Sequence, residues 1–472
     1  MSKQVAPEST LSVERRSIDF IPHDERHGEP RSLFNVWFAA NMQVTAIVTG
    51  ALLVVIGLPL VWAIVADVIG IAIGTVFMAL HSAQGPKLGI PQMIQSRAQF
   101  GFYGAILPIV IVLLMYIGFF ASSSVLGGQA LAGASPVGVT PSIIVVSAVC
   151  TVIAIFGYRL IHRLERWVSL LSGLGFVYLT IMLFVKHDVG AVWTTGHLSA
   201  GTFGLGIAIA ATWVLTYAPY VADYSRYLPE STSSAKVFWW SYAGCSISSV
   251  WMIGFGCVAA AVAAKAFDGG SVSFIVDLAP AGTHWAFSIM IILGIVAVNV
   301  LNLYGAFTSW TTIATATRTH GVRPTTRAIY TIAVALVSTA IAVAGRGNFM
   351  DNFENFILFL AYFIIPWTAI NLVDFYLIRK EHYNIAEIFN PRGMYGLFSW
   401  QALVAYLLAI AVEIPFMSTT FYTGPMVARL HGADISWALG LIVSAVLYGV
   451  FMHNSEVITV DPETSGVPAA PR

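Results

Sequence analysis

The residues best suited to chemistry in this sequence are neutral amides, aromatic rings and a few isolated acids. Asn299 and Asn302 stand three residues apart in Asn299-Val-Leu-Asn302-Leu-Tyr304, which places both amides on one helical face. Two amides offer the paired donors and acceptors that the edge of a heterocyclic base needs. Tyr116 and Phe119 repeat that spacing; such a pair usually serves packing, yet it also suits stacking on a flat ring. Trp213, Thr216, Tyr217 and Tyr220 crowd around Pro219, and a proline in mid-helix removes a backbone donor and kinks or breaks the helix. A further polar interruption is Asn35-Val-Trp-Phe-Ala-Ala-Asn41-Met-Gln43-Val-Thr45. Its amides either bond to neighbouring helices or mark a broken helix whose freed backbone groups hold a solute or ion.

Acids are scarce in apolar surroundings: Asp67, Glu413 and Asp374. A charged carboxylate in hydrocarbon costs about 2.5–3.5 kcal/mol or more, so it stays protonated, finds a partner or serves ion coupling. Asp67 is the candidate for proton coupling, whereas Asp223 and Arg226 read as a structural ion pair or cap. Cys150, Cys245 and Cys257 all fall in apolar runs and form neither a disulfide framework nor a metal cluster. His162, between Arg159 and Arg163, belongs to a basic loop. The sequence carries no Walker A loop, no HExxH and no nucleophile elbow. An enzyme is therefore not expected, and uphill movement of a solute would draw on an ion gradient.

The elements that must position these groups are membrane helices. Of 472 residues 57% are hydrophobic and only 10% charged, against about 25% charged in a soluble domain. Lipid must be the main solvent, and with a net charge of zero nothing suggests a nucleic-acid partner. Apolar segments long enough to cross a bilayer recur twelve times, at 33–58, 60–83, 104–131, 142–158, 167–186, 201–222, 238–263, 284–314, 328–345, 354–378, 398–418 and 434–453. The first two are divided at Gly57-Leu58-Pro59. With twelve spans, 19 basic residues fall on the side of the two termini and only Lys186, Lys265, Arg346 and Arg429 on the other. The positive-inside rule then makes both termini cytoplasmic. The expected division is an arm at 1–32, helices 1–5 at 33–186, helices 6–10 at 201–378, two peripheral helices at 398–453 and a tail at 454–472. The arm, with Glu14, Arg15 and Arg16, mixes charge signs, and the Pro/Gly/Ala-rich tail from Asp461 reads as disorder. Gly70 and Gly74 read as a close-packing notch, and the lack of a leading apolar run argues against a usual signal peptide.

Four short motifs, in order, give this chain a resemblance. They are Gly89-Ile-Pro91-Gln-Met-Ile-Gln-Ser96-Arg97-Ala-Gln-Phe100-Gly101, Ala222-Asp223-Tyr224-Ser225-Arg226-Tyr227, Asn302-Leu303-Tyr304, and Ile365-Pro366 followed by Val373-Asp374-Phe375-Tyr376. The sequence resembles the nucleobase–cation symporters, in the purine/cytosine permease branch, over about residues 30–390. That resemblance implies an all-α LeuT-type fold of two inverted five-helix repeats plus two peripheral helices. It implies a multi-pass plasma-membrane symporter for cytosine, adenine, guanine, hypoxanthine or a related ring, driven by H+ or Na+ and needing no cofactor. A vitamin-type heterocycle, a hydantoin- or allantoin-like ring, or a sensor that binds without transport are the alternatives. The family's stacking positions fall on Phe119 and, on the sixth helix, Val214 with Trp213 adjacent. Asn299 and Asn302 become edge readers, and Tyr116, Thr216 and Gln43 second-rank contacts. A sodium site would use backbone oxygens near Ala40 and Val44 and hydroxyls that here are Ala297 and Val298. Since a hard cation needs several oxygen ligands, proton coupling, with Asp67 as a carrier, is favoured unless Thr308 or Ser309 supplies the oxygen. The sequence is silent on oligomeric state.

Overall fold

The computed structural model describes residues 18–156, 158–317, 324–430 and 432–453; inside its helices the side chains at 156, 158–167, 264–266, 268–269, 315–317, 324 and 327 are also left undescribed. Expectations resting on Glu14, Arg15, Arg16, Arg159, His162, Arg163, Arg166, Lys265, Arg318, Arg323, Arg327 and the tail from Asp461 therefore lie outside the described residues.

The chain is a succession of helices: α1 (Ser32–Ala40), α2 (Val44–Val55), α3 (Leu60–Leu88), α4 (Gln92–Phe100), α5 (Ile106–Ala134), α6 (Val139–Phe156), α7 (Tyr158–Lys186), α8 (Ala200–Leu215), α9 (Val221–Ser225), α10 (Ser234–Val262), α11 (Ala264–Asp277), α12 (His284–Thr317), α13 (Pro324–Gly345), α14 (Phe349–Leu372), α15 (Ile385–Ile388), α16 (Trp400–Glu413), α17 (Pro425–Arg429) and α18 (Ser436–Met452). Seven stretches are long and apolar enough to cross a membrane, and the bent pair α1–α2 makes an eighth. One of them, Ala328–Ile378, holds two helices that meet at a 3-10 turn over Arg346–Asn348. With the shorter apolar helices Val139–Ile155, Trp400–Phe416 and Ser436–Met452, the described residues provide twelve candidate spans, the expected number. The division between the first two spans also holds: α2 stops at Val55, Gly57 adopts φ +99°, and Pro59 precedes α3.

Helices dominate because a bilayer core offers no partner for an open backbone group. The first span nevertheless breaks. Between α1 and α2 the chain turns through 60°, and Gln43 is extended (φ −143°, ψ 150°). The sixth span changes less. α8 ends at Leu215, a 3-10 turn covers Ala218–Tyr220 with Pro219 inside it, and α9 resumes at once. Ala200–Ser225 still reads as one span, so the proline tightens this helix rather than bending it sharply.

Small residues let these helices approach. A Cβ on Gly50 would lie 1.8 Å from the Ile253 carbonyl oxygen, and one on Gly256 1.8 Å from that of Ile47. This reciprocal contact sets α2 directly against α10. Gly70 and Gly74 play the same part between α3 and α8, facing the carbonyls of Ile207 and Ala211. α3 thus lies between α8 and α10, while α12 runs along α5 and the pair α16–α18 packs on α14.

One face is fastened by the arm before α1. The Ile21 N–H donates to the Gly89 carbonyl (2.9 Å) and the His27 N–H to that of Tyr227 (2.6 Å). Arg26 donates to the Ile21 and Pro86 carbonyls (2.9 and 2.7 Å). Burial lowers the Arg26 pKa below its usual value, and the Glu230 carboxylate offsets part of that. Asp223 and Arg226 do act locally: Asp223 accepts the Gln92 backbone N–H at the N-terminus of α4 (2.8 Å), where a carboxylate suits the helix dipole. Arg226 donates to the Asp19 carbonyl (3.1 Å).

Gly256→Ala should lower the melting temperature of the detergent-solubilised protein, since overpacking a tight contact costs about 1–3 kcal/mol. Gly204→Ala, where an added Cβ meets nothing within 4 Å, should leave it unchanged. Equal melting temperatures for both variants would show that the α2–α10 contact is not tight.

Candidate solute site and buried acids

The break in the first span centres on Asn41, which is fully buried. Its amide Nδ2 donates to the Trp37 carbonyl (3.1 Å) and to Ser248 Oγ on α10 (3.0 Å). Its Oδ1 accepts from the Trp213 indole N–H (2.8 Å) and the Tyr217 hydroxyl (2.9 Å). One amide therefore joins α1, the end of α8 and α10. Gln43 turns back on the break, its Nε2 donating to the Ala40 carbonyl (2.9 Å). Thr216 caps its own turn, donating to the Trp213 carbonyl (2.6 Å).

Aromatic rings gather around this amide. Trp37 lies 5.5 Å from Tyr217, 6.3 Å from Tyr220 and 5.4 Å from Tyr224 between ring centroids. Tyr116 of α5 meets Tyr220 at 5.7 Å. Phe119 meets Trp213 edge to face at 6.0 Å and 84°, and Phe356 of α14 at 5.0 Å. Two glycines make room for these rings: a Cβ on Gly305 would lie 2.2 Å from the Tyr116 ring, and one on Gly118 2.1 Å from that of Phe356. Rings in direct edge-to-face contact do not bracket a planar solute, because stacking on both faces needs a gap of about 7 Å, twice the usual carbon contact distance. Phe119 and Trp213 would have to part to admit one.

Asn299 and Asn302 sit beside the cluster on α12. Asn299 donates to Ser124 Oγ (3.0 Å) and to the Phe120 carbonyl (3.3 Å), both on α5, and accepts from Asn302 Nδ2 (3.3 Å). Asn299 is thus tied into the α5–α12 contact, while Asn302 is the slightly exposed member of the pair. Val214 turns away towards Gly74 of α3, so Trp213 is the sixth-span residue that faces Phe119. Ala40 has its carbonyl occupied by Gln43, Val44 is buried, and Thr308 Oγ1 donates to the carbonyl of Gly305 (2.9 Å).

The three acids differ sharply. Asp374 is saturated, accepting from Gln99 (2.9 Å), Tyr383 (2.6 Å), Tyr448 (2.8 Å) and Arg379 (3.1 Å). It is a structural node. Asp67 is equally buried, yet neither carboxylate oxygen has a partner. It faces α10 at Gly254, where an added Cβ would lie 3.7 Å from Oδ2. Glu413 likewise has two unpartnered oxygens, pressed against Gly440 of α18 and away from the aromatic cluster.

A family described as permease for cytosine/purines, uracil, thiamine, allantoin matches residues 20–440. The chain belongs to this permease family. A putative purine-cytosine permease of Bacillus subtilis is 46% identical over 94% of this chain and 96% of its own length. The purine-cytosine permease fcyB of Emericella nidulans is 28% identical over 93% of this chain and 88% of its own. Among solved structures, the inward-facing conformation of Mhp1 superposes with a TM-score of 0.77 at 19% identity, covering 94% of this chain and 95% of that one. The permease therefore has the expected all-α, LeuT-type fold, and it is a multi-pass membrane transporter rather than an enzyme.

Inspection of the sequence missed Asn41, Trp37, Tyr217 and Tyr220 as parts of one cluster. Asn41 and Trp37 stood in the interrupted segment of the first span, but no spacing rule relates them to residues some 175 positions away in the permease.

Asn41→Leu orphans two buried donors, at about 1–3 kcal/mol each, and should weaken both thermal stability and solute binding. In a Trp213→Phe/Tyr217→Phe background the same change should cost far less stability, because its main partners are already gone. Equal costs in both backgrounds, read as a thermal double-mutant cycle, would remove Asn41 from its central position.

Proposed function

We propose that the permease is a symporter that brings a nucleobase, or a closely related heteroaromatic solute, into the cell, driven by a proton or sodium gradient. The observation that carries this reading is the aromatic cluster built around Asn41 at the break of the first span. A flat ring gains roughly 1–3 kcal/mol by stacking on an aromatic side chain whatever its substituents, and amides then discriminate among rings by their edges. Phe119 and Trp213 are assigned the stacking role and Asn302, with Asn299 behind it, the edge. Tyr116, Thr216 and Gln43 close the perimeter. The relatives named as purine-cytosine permeases favour cytosine, adenine, guanine or hypoxanthine. A hydantoin ring is the second reading, since a closed Mhp1 structure is described with bromovinylhydantoin bound and a cyclic amide shares this edge chemistry.

For the cation, Asp67 is the proposed carrier. A fully buried carboxylate without a partner is stable only as the neutral acid or with an ion, so gain and loss of a proton there changes the bundle. The segments 33–186 and 201–378 are read as the two repeats that rock around the cluster, with 398–453 peripheral. The basic residues of the loops favour cytoplasmic termini, and the membrane is taken to be the plasma membrane.

Uptake of labelled cytosine, hypoxanthine and hydantoin into proteoliposomes, with and without sodium or a pH gradient, tests this function. Accumulation of at least one ring under an inward proton gradient is expected, and Phe119→Ala should abolish it. Asp67→Asn should abolish accumulation while counterflow exchange persists. Binding without accumulation would make the protein a sensor, and accumulation that follows sodium alone would overturn the role of Asp67.

A further inference from the structure

The helix α4 is buried along its whole length, although Gln92, Gln95 and Gln99 make up a third of it. Gln92 faces α3, while Gln99 donates to Asp374 just beyond the end of α14 (2.9 Å). Gln92 Nε2 lies 3.2 Å from His81 Nδ1, 3.1 Å from Gln84 Oε1 and 3.0 Å from Gln95 Oε1. Gln84 Nε2 then donates to Asn371 Oδ1 (2.9 Å). Trp367, stacked on the His81 ring at 5.0 Å, donates its indole N–H to Ser96 Oγ (2.9 Å).

The network does not close on itself. Gln92 Nε2 has two hydrogens for three acceptors. Gln92 Oε1, Gln95 Nε2, Asn371 Nδ2, His81 Nε2 and Thr368 Oγ1 are buried without any partner. Reversing an amide does not help. Turning Gln95 would set its NH2 against that of Gln92, and turning Asn371 would set its NH2 against that of Gln84. Turning Gln92 would face its oxygen to two other amide oxygens. The orientations are coupled: only Gln84, Gln92, Gln95 and Asn371 reversed together restore every contact, and even then Gln92, Gln95 and Asn371 each keep one buried amide atom without a partner. Left dry, each would be destabilising, and buried water with two to four polar partners is what satisfies such sets in proteins.

We propose that α3, α4 and α14 enclose a bound-water site, held by Gln92, Gln95 and Asn371 beside His81. α4 packs against the Ala218–Tyr220 turn, and Tyr220 belongs to the aromatic cluster. The water therefore adjoins the cluster on the side of α4, the side where the loops carry most of the basic residues. There it rehydrates a polar ring as it leaves. The water site stands on the unmatched amides alone; its part in release rests on the function proposed above.

Radiolytic hydroxyl-radical footprinting in nanodiscs tests the site, because bound water yields radicals in place even where bulk solvent has no access. Trp367 should be oxidised in the wild-type protein despite its 2% exposure. The modification should fall several-fold in Gln95→Met/Asn371→Leu, whose side chains leave water fewer partners. An unmodified Trp367, or equal oxidation in both proteins, would overturn the water site. Should the double variant fail to fold, the wild-type measurement alone decides. Solute counterflow in the folded variant reads the second part: slower exchange with unchanged binding is expected, and unchanged exchange would remove the water from the release route without touching the footprint.

Discussion

The break in this permease's first span is governed by the rule that a backbone polar group inside a bilayer must find its partner within the protein. The rule allows a helix to break only where something else completes its hydrogen bonds. Asn41 does this for the first span. Its amide binds the Trp37 carbonyl behind it, Ser248 beside it, and Trp213 and Tyr217 across from it. The break and the meeting of three helices are one event. Gln43 adds to the closure by bonding back to Ala40, and the sixth span, whose turn is completed by Thr216 and by a short 3-10 segment, needs no comparable bend.

The same rule explains why glycine matters at the helix contacts. Without a hydrophobic force between helices in lipid, association depends on close packing. Gly50 and Gly256 bring α2 onto α10, the helix that carries Ser248. Gly118 and Gly305 instead admit rings from neighbouring helices. Backbone approach thus supplies the frame, and aromatic bulk fills the space at the break. Trp213 and Tyr217 serve both ends, filling space beside Asn41 while donating to its Oδ1.

Much of the fold was legible in the sequence. Span number, the turn at Gly57 and the notch at Gly70 and Gly74 all follow from lengths, apolar runs and small residues, which are local properties. The interruption at Asn41 was visible for the same reason. What the sequence hid was partnership. Asp374 and Asp67 look alike as lone acids in apolar runs, but one is surrounded by Gln99, Tyr383, Tyr448 and Arg379 and the other by nothing that donates. Trp213 and Val214 are neighbours in the chain, and only packing against Gly74 shows which of them turns away from the cluster. α4 was noticed as a motif, while its buried glutamines acquire meaning only beside His81 and Asn371.

A transporter must hold its solute without keeping it, and the arrangement of amides bears on how. Asn299 and Asn302 already bond to one another and to α5, and Phe119 and Trp213 already touch. In the proposed function a ring entering this cluster exchanges contacts rather than filling an unsatisfied void, so its net gain is small even when its gross contacts are many. That favours release. At α4 the proposed water, held by amides that the helices leave unmatched, offers hydrogen bonds that the cluster does not. On the proposed route, a solute leaving a self-satisfied cluster for that hydrated floor regains hydrogen bonds as it goes, which gives the exit a direction that the cluster alone does not supply.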